Sequence, residues 1–382
     1  MYCNTRCLAA AATFVTAVLG VTTVRADDDG FFGQQNAYVV TPLVSDLTTV
    51  GAPVVDPNLK NSWGVVFTPG ASPFWIADNA TGLSTLYDGD GTIVPLVVMI
   101  PCPAQAGQGS ACPANASPTG VVWNPTTSGF LVPNTTSASH FIFDSEDGTI
   151  SAWASGSTAT IAVNNSTNPN AANGAVYKGL VVAVNVNGVF LYATNFRAGT
   201  IEVFDTNFKA VVPGTAGKID GTFSDPKIPA GFAPFGIQNI NGDLFVTYAK
   251  QNAQKHDDQA GAGNGFVDVF DTDGHLLRRF ASRGPLNSPW GVARASFAFG
   301  RFSGKILVGN FGDGRINVFE SDGDFLGQLR DASGKPLSID GLWTLTLGGG
   351  ANSSPDTLYF TAGPNGETDG LFGTITPAPD NN

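Results

Sequence analysis

The 382-residue sequence contains few of the side chains on which common enzymes depend. Only 13% of its residues are charged, and it has three His and four Glu. The three His, at positions 140, 256 and 275, are scattered, which argues against a His-based zinc site. No Gly-x-Ser-x-Gly elbow, P-loop or dinucleotide-binding fingerprint occurs. Whether the protein is an enzyme stays open, and no catalytic residue is assigned.

Positive charge is also scarce. The chain has 19 Lys and Arg against 31 Asp and Glu, which gives a formal net charge of -12. No cluster of basic residues offsets this excess anywhere in the sequence. Nucleic-acid backbones and anionic membrane surfaces are therefore poor partners.

The chain has only one hydrophobic run of note, at its N-terminus. Arg6 precedes the apolar residues 8–21, and small residues follow up to Ala26. This pattern predicts a signal peptide over residues 1–26, cleaved before Asp27, with a flexible segment over 27–36. No run reaches the roughly 20 residues of a membrane span. We expect a secreted or extracytoplasmic monomer without a membrane span in the mature form; a retained N-terminal anchor is the alternative.

Cysteine is nearly absent from the predicted mature chain. Cys3 and Cys7 belong to the signal segment, which leaves Cys102 and Cys112 on either side of a nine-residue loop. In an oxidising compartment these two thiols are expected to form a disulfide, which stabilises the chain by about 3 kcal/mol in the loop-entropy treatment.

Glycine, proline and phenylalanine are abundant, at 47, 24 and 27 residues, as is typical of turn-rich β proteins. A marker of small or polar residues, then an aromatic residue or Pro, then Gly recurs along the chain. A weaker copy is Tyr177-Lys178-Gly179, and a degenerate sixth copy lies at 340–343. The five marker glycines, 56, 59, 57 and 55 residues apart, are Gly64, Gly120, Gly179, Gly236 and Gly291. The chain is therefore predicted to contain six repeats.

Each repeat is predicted to form four β-strands. The second strands are predicted at 74–79, 130–134, 190–195, 244–250, 306–310 and 358–363. One such sheet cannot bury both faces alone, so the repeats are expected to stack radially. The predicted fold is all-β: a six-bladed β-propeller over residues 37–376, closed by an N-terminal strand that completes the last blade, with a disordered tail over 377–382. The marker aromatics and glycines are assigned to packing between blades.

Residues 288–319, which begin Ser-Pro-Trp-Gly-Val and contain Gly-Asn-Phe-Gly-Asp-Gly-Arg, resemble the NHL repeat. Residues 37–376 are similar to an exported, NHL-like family of six-bladed propellers, some members of which carry PEP-CTERM sorting tails. The resemblance implies the fold and export, and it carries over no catalytic residue, because the family has no assigned activity. This chain ends without such a tail, so release is expected.

One face of the predicted propeller collects polar residues. The innermost strand of a blade begins on the face where the second strand ends, so side chains at these positions should surround one mouth of the channel. They are Asp78, Asn79, Asn134, Asn195, Lys250 and Asn310, with Asn61 and Ser288. Their oxygens suit calcium, with Asn134, Asn195 and Asn310 as ligands. The alternative is that the amides only satisfy the following turns.

Two further groups are candidates for this face. Residues 250–259 form the most charged stretch of the chain and include Lys250, His256, Asp257 and Asp258. They are interpreted as a lid or metal-binding loop, or as a solvated insertion. Glu146 and Asp147 offer a general acid or base, although Asp147-Gly148 is also an ordinary turn signal.

Two functions fit these features. The first is an exported binding or scaffold protein that holds a small molecule, a glycan or a protein partner at the mouth. The alternative is a divalent-metal-dependent hydrolase analogous to the gluconolactonase-like propellers, an analogy that rests on fold alone. The cofactor is unknown in the first case and would be a cation such as calcium in the second.

Overall fold

The computed structural model describes residues 36–70, 72–103 and 115–379. The predicted signal segment and Cys112 lie outside these residues, as does residue 380 onward. Among the described residues no helix is long and apolar enough to cross a membrane.

Twenty-five strands make up the described part of the chain. The first is β1 (Tyr38–Ser45), and β2 (Val54–Val55) follows it. Blades 1 to 3 contain β3 (Ser62–Val66), β4 (Phe74–Asp78), β5 (Leu83–Tyr87), β6 (Val98–Met99), β7 (Pro118–Trp123), β8 (Phe141–Ser145), β9 (Thr149–Trp153), β10 (Thr160–Asn164), β11 (Tyr177–Asn185), β12 (Gly188–Asn195), β13 (Thr200–Phe204) and β14 (Ala210–Val211). Blades 4 to 6 contain β15 (Phe232–Ile240), β16 (Asp243–Lys250), β17 (Gly265–Phe270), β18 (Leu276–Ser282), β19 (Pro289–Arg294), β20 (Ile306–Asn310), β21 (Ile316–Phe319), β22 (Phe325–Gln328), β23 (Leu342–Leu347), β24 (Leu358–Ala362) and β25 (Leu371–Pro377).

These strands form six antiparallel blades in a ring. Five blades consist of four consecutive strands each, and the innermost strands β3, β7, β11, β15, β19 and β23 contact one another in that order and back to β3. Short helical turns lie at Thr48–Val50, Gly300–Phe302 and Pro364–Glu367. The predicted six-bladed propeller is confirmed.

The sixth blade is completed by the N-terminal strand, as predicted. Strand β1 pairs antiparallel with β25 from Tyr38 opposite Pro377 to Ser45 opposite Leu371. Tyr38 is buried, and its hydroxyl donates a hydrogen bond of 3.0 Å to the carbonyl of Phe299 in blade 5. A fifth strand, β2, adds to this sheet in parallel with β1, which the sequence did not indicate.

The marker glycines lie where neighbouring blades come closest. A Cβ atom on Gly64 would lie 2.6 Å from the carbonyl oxygen of Thr119 in the next inner strand, and one on Gly236 would lie 2.3 Å from that of Trp290. In the sixth blade Thr344 takes this place, and its hydroxyl donates to the carbonyl of Trp63. The predicted role of the glycines in close packing is confirmed.

Each marker also coincides with a break in strand pairing. In all six blades the register between the innermost and second strands shifts at the marker, for example between Ser62 and Val65 and between Tyr177 and Leu180. Such a bulge redirects the side chains that it contains. The residue before each marker glycine therefore leaves the regular alternation of its strand.

The second strand of blade 2 was placed wrongly by the sequence. It is β8 (Phe141–Ser145), and residues 131–138 lie in the loop between β7 and β8. The sequence predicts a strand that starts at the apolar Phe130, which is indeed fully buried. Pro133 lacks an N–H for a ladder, and Asn134 has a left-handed φ of 62°, so the segment turns instead.

Candidate functional site

Six turns between the second and third strands of the blades surround one end of the channel. Because the innermost strands begin where the second strands end, the first residues of the innermost strands lie on this same face. We call this face the mouth. Its six turns span residues 79–82, 146–148, 196–199, 251–264, 311–315 and 363–370.

Aromatic side chains fill the axis below the mouth. Trp63 and Trp343 stack with ring centroids 3.5 Å apart, and Trp290 meets both rings edge-on at 6.1 and 5.9 Å. Phe235 packs edge-on against Trp63 and Trp343. Each of these residues stands one place before the marker glycine or its equivalent Thr344, so the bulges direct them to the axis. The channel is therefore closed by packed rings.

Lys178 holds the same position in blade 3 and is the one charged residue in this axial set. Its side chain is 3% exposed, and its ammonium group lies 5.1 Å from the centroid of the Trp63 ring. The ammonium donates a hydrogen bond to Glu146 Oε1 and lies 3.6 Å from Asp257 Oδ1. Burial alone would lower the pKa of Lys178, but the combined attraction of the carboxylates has the larger effect. The net pKa is raised, and the group stays charged.

A chain of hydrogen bonds links the axis to Glu146. The indole of Trp343 donates to Asn61 Oδ1 at 3.0 Å, and Asn61 Nδ2 donates to Asn79 Oδ1 and to Glu367 Oε2. Asn79 Nδ2 then donates to Glu146 Oε2 at 2.9 Å. This network fixes two carboxylates from blades 2 and 6 beside the central lysine.

Carboxylates cluster beside Lys178 at the mouth. Burial raises the pKa of Asp147, Asp258 and Glu367, and neighbouring carboxylates raise each of them further. Asp257 differs, because its hydrogen bond with His256 Nδ1, at 2.7 Å, and the Lys178 ammonium lower its pKa to about 2. With Glu146, five carboxylates lie around one lysine.

Several residues predicted from the sequence meet at this site. Those that take part in the network or the carboxylate cluster are Asn79, Glu146, Asp147, His256, Asp257 and Asp258. Lys250 ends β16 on the same face and is exposed. The loop over 251–264 brings Asp257 within 3.6 Å of the Lys178 ammonium, although the Asp257 side chain is 60% exposed, so the loop is both solvated and part of the mouth.

Asp78 lies at the end of a second strand as predicted, but its side chain faces the interior of blade 1. It is fully buried and accepts hydrogen bonds from the hydroxyls of Ser62 and Thr85. Burial raises its pKa well above the ordinary value. It braces three strands of the blade.

The predicted calcium site of three amides is not formed. Asn134 lies in the loop between the first and second strands of blade 2, on the face opposite the mouth. Asn195 Oδ1 accepts the backbone N–H of Val176, and Asn310 Oδ1 accepts that of Asn287. These amides satisfy turns, which is the alternative interpretation of their position.

One group in the described part of the chain offers three potential metal ligands. Single atoms of Glu146, His256 and Asp257 lie within 4.8 Å of one another. The Lys178 ammonium, however, is bound to Glu146 and lies against Asp257. A divalent ion there would lie beside the buried Lys178 ammonium, and two adjacent cations repel, so the residues present do not fit a divalent ion.

One site residue was missed from the sequence, Lys178. Lys178 was visible as the residue before the glycine of the weakest marker, and alignment of the six markers on that glycine places it with Trp63 and Trp343. Glu367 stands out in the sequence as one of two Glu residues free for chemistry, but its place at the mouth was not predicted, because it lies in an irregular turn after β24. Cys102 is described, but Cys112 is not, so their disulfide stays a prediction.

Asp144 gives a prediction for pH dependence. It is fully buried, accepts hydrogen bonds from Thr119 Oγ1 and the Gly120 N–H, and burial raises its pKa to about 6. A raised carboxyl pKa stabilises the fold below about pH 4 and loses this contribution as the pH rises through 6. Between pH 4 and 6.5, this carboxyl should lower the unfolding free energy of the wild type by up to about 3 kcal/mol, and Asp144→Asn should remove that decrease. Urea titrations at both values measure it, and parallel profiles for the two proteins would contradict it.

Comparison with known proteins identifies relatives of this chain. No family model matches it. An uncharacterised protein of Acanthamoeba polyphaga mimivirus is 33% identical over 354 residues, which cover 90% of this chain and 82% of the relative. A second uncharacterised protein of the same virus is 32% identical over 355 residues, which cover 90% and 88%.

Among solved structures, the likeness extends to the fold alone. A protein of unknown function from Bacteroides thetaiotaomicron is similar with a TM-score of 0.53 and 10% identity, over 89% of this chain and 76% of that one. A gluconolactonase from Xanthomonas campestris is similar with a TM-score of 0.48 and 13% identity, over 84% and 87%. Likeness at this level says nothing about activity.

Proposed function

The chain belongs to the same family as these two uncharacterised mimivirus proteins, and from that premise and the charge of the mouth we propose that it is a binding protein for a polyamine ligand. The observation that carries the proposal is the cluster of five carboxylates beside the axial Lys178. The other basic residues of the mouth form no ion pair with these carboxylates in the described ranges; they are Arg197, Lys250, Lys255 and Arg315. A ligand with several amino groups would supply the missing positive charge.

Three of the carboxylates are available to such a ligand. Asp147, Asp258 and Glu367 form no ion pair with a lysine, arginine or histidine in the described ranges. They come from blades 2, 4 and 6, so they are distributed around the mouth on alternate blades. A flexible chain of ammonium groups suits carboxylates spread in this way better than one small ion does.

Lys178 shows how the mouth holds an ammonium group. Its Nζ bonds to a carboxylate while lying over the Trp63 and Phe196 rings at 5.1 and 5.9 Å. Carboxylate and aromatic face together are a recurring environment for amines. Phe311 and Trp290 are only partly buried, which offers further ring surface beside the acidic residues.

Titration calorimetry with spermine tests the proposal. We expect binding at low salt that weakens as salt is raised from about 50 to 500 mM. Glu367→Gln and Asp258→Asn should each weaken binding by about tenfold. Asp322→Asn is the matched control, because Asp322 is an exposed carboxylate in a turn on the opposite face of the propeller. No binding at low salt, or equal binding by all variants, would refute the proposal.

Export is part of the same proposal. The apolar run over 8–21 and the small residues up to Ala26 support cleavage before Asp27. The predicted disulfide between Cys102 and Cys112 would then form outside the reducing cytoplasm. A mature N-terminus other than Asp27 would contradict this part.

The hydrolase alternative has one observation in its favour, the grouping of Glu146, His256 and Asp257. The Lys178 ammonium between these carboxylates stands against it. We therefore derive no reaction through a metal ion.

A further inference from the structure

We propose that the Lys178 ammonium group takes the place of a divalent cation among Glu146, His256 and Asp257, so that the native mouth excludes such an ion and removal of the ammonium creates a metal site. The inference rests on the proposed function only in taking the mouth as the binding face. The cation at the axis of this propeller is then a side chain of the protein itself, the Lys178 ammonium group.

The geometry places the lysine between the potential ligands. Glu146 follows the second strand of blade 2, and His256 and Asp257 belong to the loop of blade 4. Lys178 is the second residue of the innermost strand of blade 3, the blade between them. Its Nζ bonds to Glu146 Oε1 and lies 3.6 Å from Asp257 Oδ1. An ion bound to both carboxylates would have to share this space with the ammonium.

The lysine cannot easily withdraw. Its side chain is 3% exposed, and its ammonium packs over the rings of Trp63 and Phe196. The backbone carbonyl of Lys178 also accepts a hydrogen bond of 2.8 Å from the Trp290 indole. The strand that carries the residue is therefore fixed to the axis, and the ammonium stays among the carboxylates.

The potential ligands are oriented independently of the lysine. Asn79 Nδ2 donates to the second oxygen of Glu146 at 2.9 Å. Asn252 bonds to both ligands of the loop, with its Oδ1 accepting the backbone N–H of His256 and its Nδ2 donating to Asp257 Oδ2. Such outer contacts position ligands for a metal. A carboxylate, an imidazole and a second carboxylate make a donor set that suits Mn²⁺ or Zn²⁺.

The test compares Mn²⁺ binding by the wild type and by Lys178→Met, which keeps an unbranched side chain one atom shorter and removes the charge. By calorimetry, Lys178→Met should bind one Mn²⁺ about 100-fold more tightly than the wild type and gain thermal stability from it. Asp257→Asn in the same chain should remove the gain. Lys250→Met is the control, since Lys250 is an exposed lysine of the same mouth; it should behave as the wild type does.

Two results would overturn the inference. One is tight Mn²⁺ binding by the wild type that Glu146→Gln abolishes. The other is a folded Lys178→Met protein with no gain in Mn²⁺ affinity. If Lys178→Met does not fold, Lys178→Gln takes its place in the same titration, and the wild-type titration applies in either case. Spermine binding through Asp258 and Glu367 is measured with other variants, so failure of one proposal leaves the other testable.

Discussion

A chain that begins at residue 46 is expected to lose the cooperative fold, whereas a chain that begins at residue 36 keeps it. The difference is β1, which pairs with β25 along seven residue pairs and closes the ring. Its removal exposes the edge of β25 and uncovers the hydrophobic core that includes Tyr38 and Val44. The loss should exceed the roughly 5–15 kcal/mol by which a domain is stable, and the open edge should favour aggregation.

Thermal unfolding by circular dichroism and sedimentation velocity measure this pair of chains. The chain from residue 36 should unfold in one transition as a monomer. The chain from residue 46 should show no such transition, or should aggregate. A monomeric chain from residue 46 with an unchanged melting temperature would show that β1 does not close the propeller.

Gly236→Ala is expected to destabilise the protein by about 3 kcal/mol or more. The added Cβ would lie 2.3 Å from the carbonyl oxygen of Trp290, which is backbone of the next innermost strand and cannot rotate away. The equivalent atom on Gly179 would lie 3.0 Å from the carbonyl oxygen of Phe235. Gly179→Ala should therefore cost clearly less, although it changes the same position of a neighbouring blade.

Urea unfolding of both variants checks this ranking. The matched pair separates close approach of blades from the general cost of alanine for glycine in a strand. An equal loss of unfolding free energy in the two variants, or no loss in Gly236→Ala, would contradict the claim that the marker glycines allow close packing of blades.

The fold was largely predictable because its signals repeat. Five marker glycines at nearly constant spacing reveal six units, and each glycine has the same local cause, the backbone of the next innermost strand. This is a carbonyl oxygen at Gly64, Gly179, Gly236 and Gly291, and the nitrogen of Leu180 at Gly120. The exception in blade 2 is instructive. Phe130 is buried as a strand residue would be, yet it belongs to a loop. The left-handed φ angles of Phe130 and Asn134 and the ladder of β8 show the difference.

The site was predicted in part, and the errors have physical reasons. Glu146, His256 and Asp257 were found because charge is rare in this sequence. Asn195 and Asn310 were assigned to a metal site because their oxygens suit calcium, but local N–H groups compete for those oxygens more effectively. Lys178 was missed because its role depends on a bulge that directs it to the axis, which no single repeat displays.

The central claim is that turns of the blades hold carboxylates around the ammonium of a lysine at the propeller axis. Anomalous diffraction from crystals of the wild-type protein grown with Mn²⁺ tests it most directly. We predict density for the Lys178 ammonium against Glu146 and no anomalous peak among Glu146, His256 and Asp257. A manganese peak at that position, with Lys178 turned away from the carboxylates, would contradict the account.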